Sequence, residues 1–451
     1  MPADTVPVTG WGRTAPTAAR LIRPRSYEEA VAAVLDSGAR GSIPRGLGRA
    51  HGDAAQNAGG SVLDLTGLDR VHAIDVTAGT VLCDAGISLH RLMEVLLPLG
   101  WFLPVTPGSR YVTVGGAIGA DVHGRDHAVA GAFSRHVPSF ELLTADGRIR
   151  TVRQGTPLFD ATTGGMGLTG VILTATIRLL PVETSLVSVD TERAADLDDL
   201  LARLTTGGRR HRYTSALIDL MARGAATGRA VLTRADHVPL EALEPGTRAR
   251  RHPLAFRPLR LPSAPALFPE GLLGRRTVGL LNELWFRSAA RARTGQLQRV
   301  PAFFHPLDGV PHWNRIYGRG GFVRYQFAVG EGQEEALGRI VRRVADRRCP
   351  SFPAVLKRFG EADPGWLSFP VPGWTLALDL PASLPGLAGF LDALDAEVAA
   401  AGGRVCLAKD ARLRPDLLAA MYPRLDDFRA LRAEVDPRGV FRSNLSRRLT
   451  L

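Results

Sequence analysis

Of the 56 basic residues in this 451-residue chain, only Lys357 and Lys409 are lysines. Arginine stays charged at any accessible pH, whereas a lysine is a compact point charge that gives up its proton when desolvated. A chain that uses arginine almost everywhere and keeps two lysines marks both as candidates for accepting a proton or steadying a developing alkoxide. The plainer alternative is two survivors of a general replacement of Lys by Arg. Two histidines, His51 and His123, stand out for a different reason: each lies inside a glycine-rich segment.

Three such segments occur within about 130 residues, each flanked by β-branched residues. The first is Arg45-Gly46-Leu47-Gly48-Arg49-Ala50-His51-Gly52-Asp53. The second runs from Pro107-Gly108-Ser109 through Thr113-Val114-Gly115-Gly116-Ala117-Ile118-Gly119-Ala120 to His123-Gly124. The third is Thr163-Gly164-Gly165-Met166-Gly167-Leu168-Thr169-Gly170-Val171-Ile172. Glycines let backbone N–H groups approach a pyrophosphate closely, and a turn of such donors forms an anion nest. A Rossmann site would need G-x-G-x-x-G running into an apolar helix. The spacing here is wrong, and the following DAAQNAGG does not read as a helix.

The elements that must position these residues follow from pattern. Ser26 and Glu29 form a capping box before an apolar face at Val31, Val34 and Leu35, and Gly38 is the expected stop. A short strand (GSIPRG), the first glycine loop and a second strand (SVLDL) follow, then a helix opened by Ser88. Residues 138–153 read as a hairpin turning at Ala145-Asp146-Gly147. After about residue 185 the glycine loops stop. Residues 246–276, rich in Pro and Arg with Leu and Phe between, resist regular structure. They read either as a disordered insertion or as a lid or basic-apolar contact for an amphiphilic ligand or membrane surface.

Composition sets outer bounds. The length implies two domains, and 45% hydrophobic with 22% charged residues is globular. No apolar run is long enough to span a membrane, and the N-terminus lacks the regions of a signal peptide, so a cytoplasmic location is expected. Cys83, Cys349 and Cys406 have no metal-ligand spacing, so neither a disulfide framework nor a metal site is expected. The net charge of +12 comes from scattered arginines without aromatic interleaving. That pattern disfavours nucleic acid and suits an anionic substrate or a membrane surface.

The order RGLGRAHGD, DLTGLDRV, TVGGAIGADVHG, GGMGLTGVI resembles the FAD-binding domain of the vanillyl alcohol oxidase superfamily. Within it, TGWGRTAP (9–16), FHPLD (304–308), WNRIYG (313–318), SFPVPGW (368–374), LAKD (407–410) and AMYPR (420–424) are similar to the decaprenylphosphoryl-β-D-ribose 2-oxidase group. The resemblance spans nearly the whole chain. It implies an α+β fold, with a two-subdomain FAD-binding domain over 1–185, a sheet-based substrate domain over 186–403, and a segment, 404–451, returning to the first domain. It implies FAD as cofactor and oxidation of a secondary hydroxyl on an activated furanose, with a separate ketoreductase as partner.

Carried over residue by residue, the resemblance makes Lys409 and His123 catalytic. It places Lys357, Gln326, Arg324, Tyr317, Phe359 and Thr375 at the substrate, and has Arg315 support the Tyr317 loop. The cofactor would be held by Arg45, Gly46, Leu47, Gly48, Arg49, Ala50, His51, Gly52 and Asn57. Further cofactor positions are Pro107, Gly108, Thr113, Gly115, Gly116, Ala117, Gly119, Ala120, His123, Gly124, Gly167, Gly170, Ile172 and Lys409. The chain departs from the group's pattern at several pocket positions: Phe304 replaces Tyr, Arg324 Gln, Thr375 Asn, Leu217 Trp, and Ala377 a cysteine. His51 replaces Tyr and matches the histidine that sugar and polyol oxidases of the superfamily bond to the flavin 8-methyl carbon. A second function is therefore kept open: a sugar or nucleoside oxidase of specialised metabolism with covalent FAD and O2 as acceptor. A flavin-free binding protein is the third.

Overall fold

The computed structural model describes residues 5–207, 210–265, 268 and 271–451. Its first part is mixed α and β. Strands Thr5–Val8, Thr17–Ile22, Ser61–Asp64 and Ser42–Arg45 lie side by side in that order, the last three parallel. The helix Tyr27–Leu35 begins where Ser26 accepts the Glu29 amide, while the Glu29 carboxylate reaches back to the Arg25 amide at 2.8 Å. It ends at Leu35 with Asp36 as C-cap, two residues before the Gly38 stop expected from sequence. Asp36 accommodates the cap at φ −81° without a left-handed residue, so no glycine is needed there.

A second sheet joins Val71–Asp75, Thr80–Asp84, Val171–Arg178, Ser139–Leu143 and Ile149–Arg153. Its last two strands are the 138–153 hairpin, paired from Ser139 with Arg153 to Leu143 with Ile149. The Ser88-capped helix is Leu89–Leu96, and its apolar residues sit in the core beneath this sheet.

The third sheet has eight strands: Ala292–Arg299, Leu186–Ala194, Ala230–His237, Tyr213–Ile218, Ala354–Phe359, Gly373–Pro381, Phe322–Gly330 and Arg404–Val405. Strand residues alternate between faces, and the two faces here differ sharply. Leu356, Leu376, Leu378, Leu380, Tyr325, Phe327 and Val329 join a core with the helices Leu197–Thr206, Glu334–Asp346 and Leu387–Ala400. The register Lys357–Thr375, Gln326–Ala377 and Arg324–Asp379 puts polar side chains together on the other face. Leu217, opposite Val355, extends that face.

Three carboxylates tie this sheet's loops to the second glycine segment and the stretch that follows it. Asp308 accepts from Ser109 Oγ at 2.9 Å and from the Arg110 amide at 2.7 Å. Asp363 binds His127 Nε2 at 2.8 Å, Arg135 Nε at 2.6 Å and the Ala132 amide at 3.0 Å. Asp121 takes the Ser368 hydroxyl at 2.5 Å. The chain's end packs on its beginning: Ser42 and Val440 bond through their backbones, and Arg448 pairs with Asp53 at 2.8 Å. Within 246–276 the described residues hold one short helix, Arg248–Arg251, and the first residues of a longer one, Arg275–Ser288.

Candidate active site

The three glycine segments and LAKD meet because glycine allows backbone to touch backbone. A Cβ on Gly52 would lie 1.6 Å from the Asp410 carbonyl oxygen, and one on Gly46 would lie 2.1 Å from Thr113 Oγ1. Met166 N bonds Gly119 O at 2.9 Å, and His51 N bonds Ala408 O at 3.0 Å. Gly48 sits at φ +66°, which a side chain rarely adopts, so the turn of the first loop calls for glycine there. The amides of Leu47, Gly48, Arg49 and Ala50 find no acceptor among the described residues. Successive free donors beside Arg49, whose guanidinium lies 3.8 Å from the Trp11 ring centre, fit a dinucleotide pyrophosphate.

Other residues expected at the cofactor frame this cradle. Arg45 donates to Ala55 O and Thr9 O, and Asn57 donates to Gly41 O at 2.8 Å. Thr113 caps the helix Val114–Gly119 by accepting from Gly116 N. Gly115 lies against Ala85, Gly124 against Asp126, and Gly170 against Leu142 and Leu143, while Ala117 and Ile172 are buried in the core. Ala120 is the C-cap of that helix. Gly108 has open space around it and Leu47 is exposed.

Against the end of the second glycine segment, the polar sheet face carries a hydrogen-bonded array. Lys409 Nζ donates to Gln326 Oε1. Gln326 Nε2 donates to Thr375 Oγ1 at 3.0 Å and meets His123 Nε2 at 3.1 Å. Thr375 passes its own proton to Phe327 O at 2.9 Å, so it must accept from Gln326. That fixes the amide orientation: its oxygen faces the lysine and its nitrogen faces Thr375 and the histidine. Burial drives the Lys409 pKa down to about 8, with Arg324 adding repulsion.

Lys357 Nζ donates to Gly124 O at 3.0 Å, and burial followed by the Lys409 charge brings its pKa to about 7. His123 is wedged between Phe359 and Phe369, ring centres 4.9 and 5.5 Å away. Burial, then Lys357 and Lys409, hold it well below its usual pKa, so it is a neutral imidazole. Both lysines from the sequence analysis therefore converge on one wall with His123 and Gln326.

The remaining expected substrate residues are engaged with protein. Arg324 forms a two-pronged pair with buried Asp379, at 2.6 and 2.9 Å. Tyr317 donates to Phe352 O at 3.1 Å and stacks on Phe322, whose ring meets His51 edge-on at 5.7 Å. Arg315 bonds Ala264 O. His51 has a buried Nε2 without a partner among the described residues. Burial, then Arg324, Lys409 and Arg49, keep its ring neutral.

Sequence reasoning missed Arg125 and Asp126, directly after His123-Gly124. Arg125 lies over the Phe303 ring at 4.5 Å, and burial lowers its pKa to about 10. Burial raises Asp126 to about 7 against the pull of Arg212, and neither carboxylate oxygen has a described partner. A charged pair abutting a His-Gly motif was the available signal. Among the described residues no group of three His, Cys, Asp or Glu side chains could hold a metal, and Cys83, Cys349 and Cys406 are free and buried.

Cradle, facing lysines and matched profiles agree. A profile described as FAD binding domain matches residues 18–153, and one described as D-arabinono-1,4-lactone oxidase matches residues 380–449. The chain is thus an FAD-dependent oxidoreductase. It is 42% identical over 457 residues to decaprenylphosphoryl-beta-D-ribose oxidase of Mycolicibacterium smegmatis, covering 100% of this chain and 98% of that one. It belongs to that protein's family. A Streptomyces coelicolor relative known as an uncharacterized protein in the mprA 5′ region is 59% identical over 375 residues, 81% of this chain and all of its own. Alditol oxidase of a Streptomyces species is 27% identical, over 98% of each chain.

Proposed function

We propose that the enzyme oxidises a secondary ring hydroxyl of an activated, phosphate-bearing furanose to the ketone. The observation that carries this reading is the Lys409–Gln326–His123 array with Lys357 beside it, bonded to the end of the second glycine segment. The arrangement of a cofactor domain over 1–185 in two subdomains, a substrate domain over 186–403 and a returning segment over 404–451 belongs to the same proposal. So do a cytoplasmic location and a ketoreductase that consumes the product. Among the described residues no helix is long and apolar enough to cross a membrane.

FAD would be held by the first two glycine segments and His51, and when bound it accepts the hydride from the sugar carbon. The chain's residues handle the proton and the orientation. Lys409, part neutral near pH 8, takes the hydroxyl proton, while Gln326 fixes its amine through the Oε1 contact. Neutral His123, aligned by Gln326 and the two phenylalanines, bonds the hydroxyl and holds the ring. Lys357 and Arg125 supply positive charge for the anionic substituent.

One observation favours a second reading, an oxidase with covalently held flavin: the unpartnered, neutral imidazole of His51. The bond would join a ring nitrogen to the flavin 8-methyl carbon. His51 and the methyl carbon would each give up one proton, and the two electrons released would be held by the flavin until its acceptor removed them. Anaerobic titration separates the substrates. Bleaching of the bound flavin by a polyprenyl-phosphate ribose, and none by free alditols, is expected. Bleaching by alditols alone would overturn the furanose reading.

A further inference from the structure

Charge is unevenly spread along the chain. From Arg248 through Arg299 the chain has eleven arginines and two glutamates, so this stretch supplies nine of the twelve net positive charges. The helix Arg275–Ser288 lies within it, and its inner side is well anchored. Val278 and Asn282 are buried, and Asn282 donates to Asp219 at 2.7 Å. Glu283 pairs with Arg229, and Phe286 lies under the guanidiniums of Arg193 and Arg229.

Its outer side is the anomaly. Leu280, Leu281 and Leu284, one helical stripe, are 62%, 40% and 58% exposed. Arg276 and Arg287 border the stripe. An amphipathic helix normally turns its polar side to water, and this one turns leucines. The next strand, Ala292–Arg299, is the outer edge of the eight-stranded sheet and continues the pattern with exposed Arg291, Arg293, Leu297 and Arg299. Isolated exposed leucines need no explanation, but a stripe ringed by arginine does.

We infer that the helix Arg275–Ser288 docks the enzyme on a membrane surface carrying anionic lipids. The leucines enter the headgroup boundary and the arginines meet lipid phosphates. A second copy of the chain is a poor occupant, because pairing this face with itself would set the exposed Arg276, Arg287, Arg291, Arg293 and Arg299 against their own copies. The inference is independent of which sugar is oxidised, since docking is read without turnover.

The test uses the full-length, flavin-loaded protein and sedimented vesicles. One set is phosphatidylcholine alone, the other has about a third phosphatidylglycerol. Wild type should pellet with the anionic vesicles, stay in solution with the neutral ones, and be released by about 0.5 M NaCl. Leu280→Ser/Leu281→Ser/Leu284→Ser should lower the partition coefficient at least about tenfold while flavin content and oxidation of a soluble substrate are unchanged. Should that variant misfold, Arg276→Gln/Arg291→Gln/Arg293→Gln keeps the leucines and should lose the anionic preference. Equal or absent binding of wild type to both vesicles overturns the inference. So does unchanged binding of the leucine variant, or a wild-type dimer in light scattering that the leucine variant abolishes.

Discussion

Replacing Lys409 by arginine keeps a positive charge at the centre of the array but removes the ability to accept a proton. At its ordinary pKa a lysine is about one part in a thousand neutral at pH 7.5. With the Lys409 pKa lowered to about 8 by burial, roughly a quarter is neutral at that pH and roughly three quarters at pH 8.5. In the proposed mechanism the neutral amine is the base, and its population rises with pH. Reduction of the bound flavin by sugar, followed anaerobically by stopped flow, should therefore speed up about threefold over that unit. Lys409→Arg should bind FAD normally, slow the reductive step by roughly 10²–10⁴, and lose the pH step. Lys409→Met should do the same, because Gln326 Oε1 then has no ammonium to hold. An arginine variant that matches wild type in rate and in pH dependence would refute the proton-transfer role. Lys409 would then act only as a charge, leaving the base role to His123.

Three further outcomes follow from other contacts. Acid-denatured wild type should retain flavin mass on the peptide containing His51, and His51→Ala should release all of it; intact mass spectrometry at the apo value for wild type would refute covalent attachment. Gly52→Ala should purify without flavin, because its Cβ meets the Asp410 backbone, which cannot swing aside as a side chain would; a fully yellow variant would show that the first loop need not seat on LAKD. Burial disfavours the Asp363 charge, but the His127 hydrogen bond and charge, the Ala132 amide and Arg135 together hold its pKa below the usual carboxylate value. Its stabilisation is thus complete above about pH 4 and lost as pH falls further. Asp363→Asn should cost about 3–5 kcal/mol at neutral pH, read as a lower thermal midpoint.

What was legible in the sequence was local or periodic. Ser26, Ser88 and the 145–147 turn announce their elements because caps and turns are decided within four residues. The glycine segments were legible as donors for the same reason. The resemblance supplied Gln326, Thr375 and Lys357 one at a time, and the strand register shows why they act as a set: all point to one face. The partners that lie far along the chain were not legible. No local pattern ties Asp363 to His127 across 236 residues, or Asp308 to Arg110 across 198. Nor did pattern find the helix Arg275–Ser288, whose first two residues close the stretch read as irregular and whose exposed leucines blur its period.

Arg324 shows how a long-range partner changes the meaning of a pocket residue. Taken alone, an arginine where relatives carry a neutral side chain suggests a subsite for an extra anionic group. In the structure its Nε and Nη2 both donate to Asp379, a carboxylate with a side chain 0% exposed, in a two-pronged pair. Breaking such a pair to bind a ligand would leave Asp379 buried and uncompensated, which costs several kcal/mol. In the proposed function the charge offered to an anionic substrate comes instead from Arg125 and Lys357. Neither has a carboxylate in hydrogen-bond contact among the described residues, and both lie beside the His123-Gly124 turn. On the proposed function, substrate preference turns on the Arg125 side of the site, while Arg324 stays paired with Asp379.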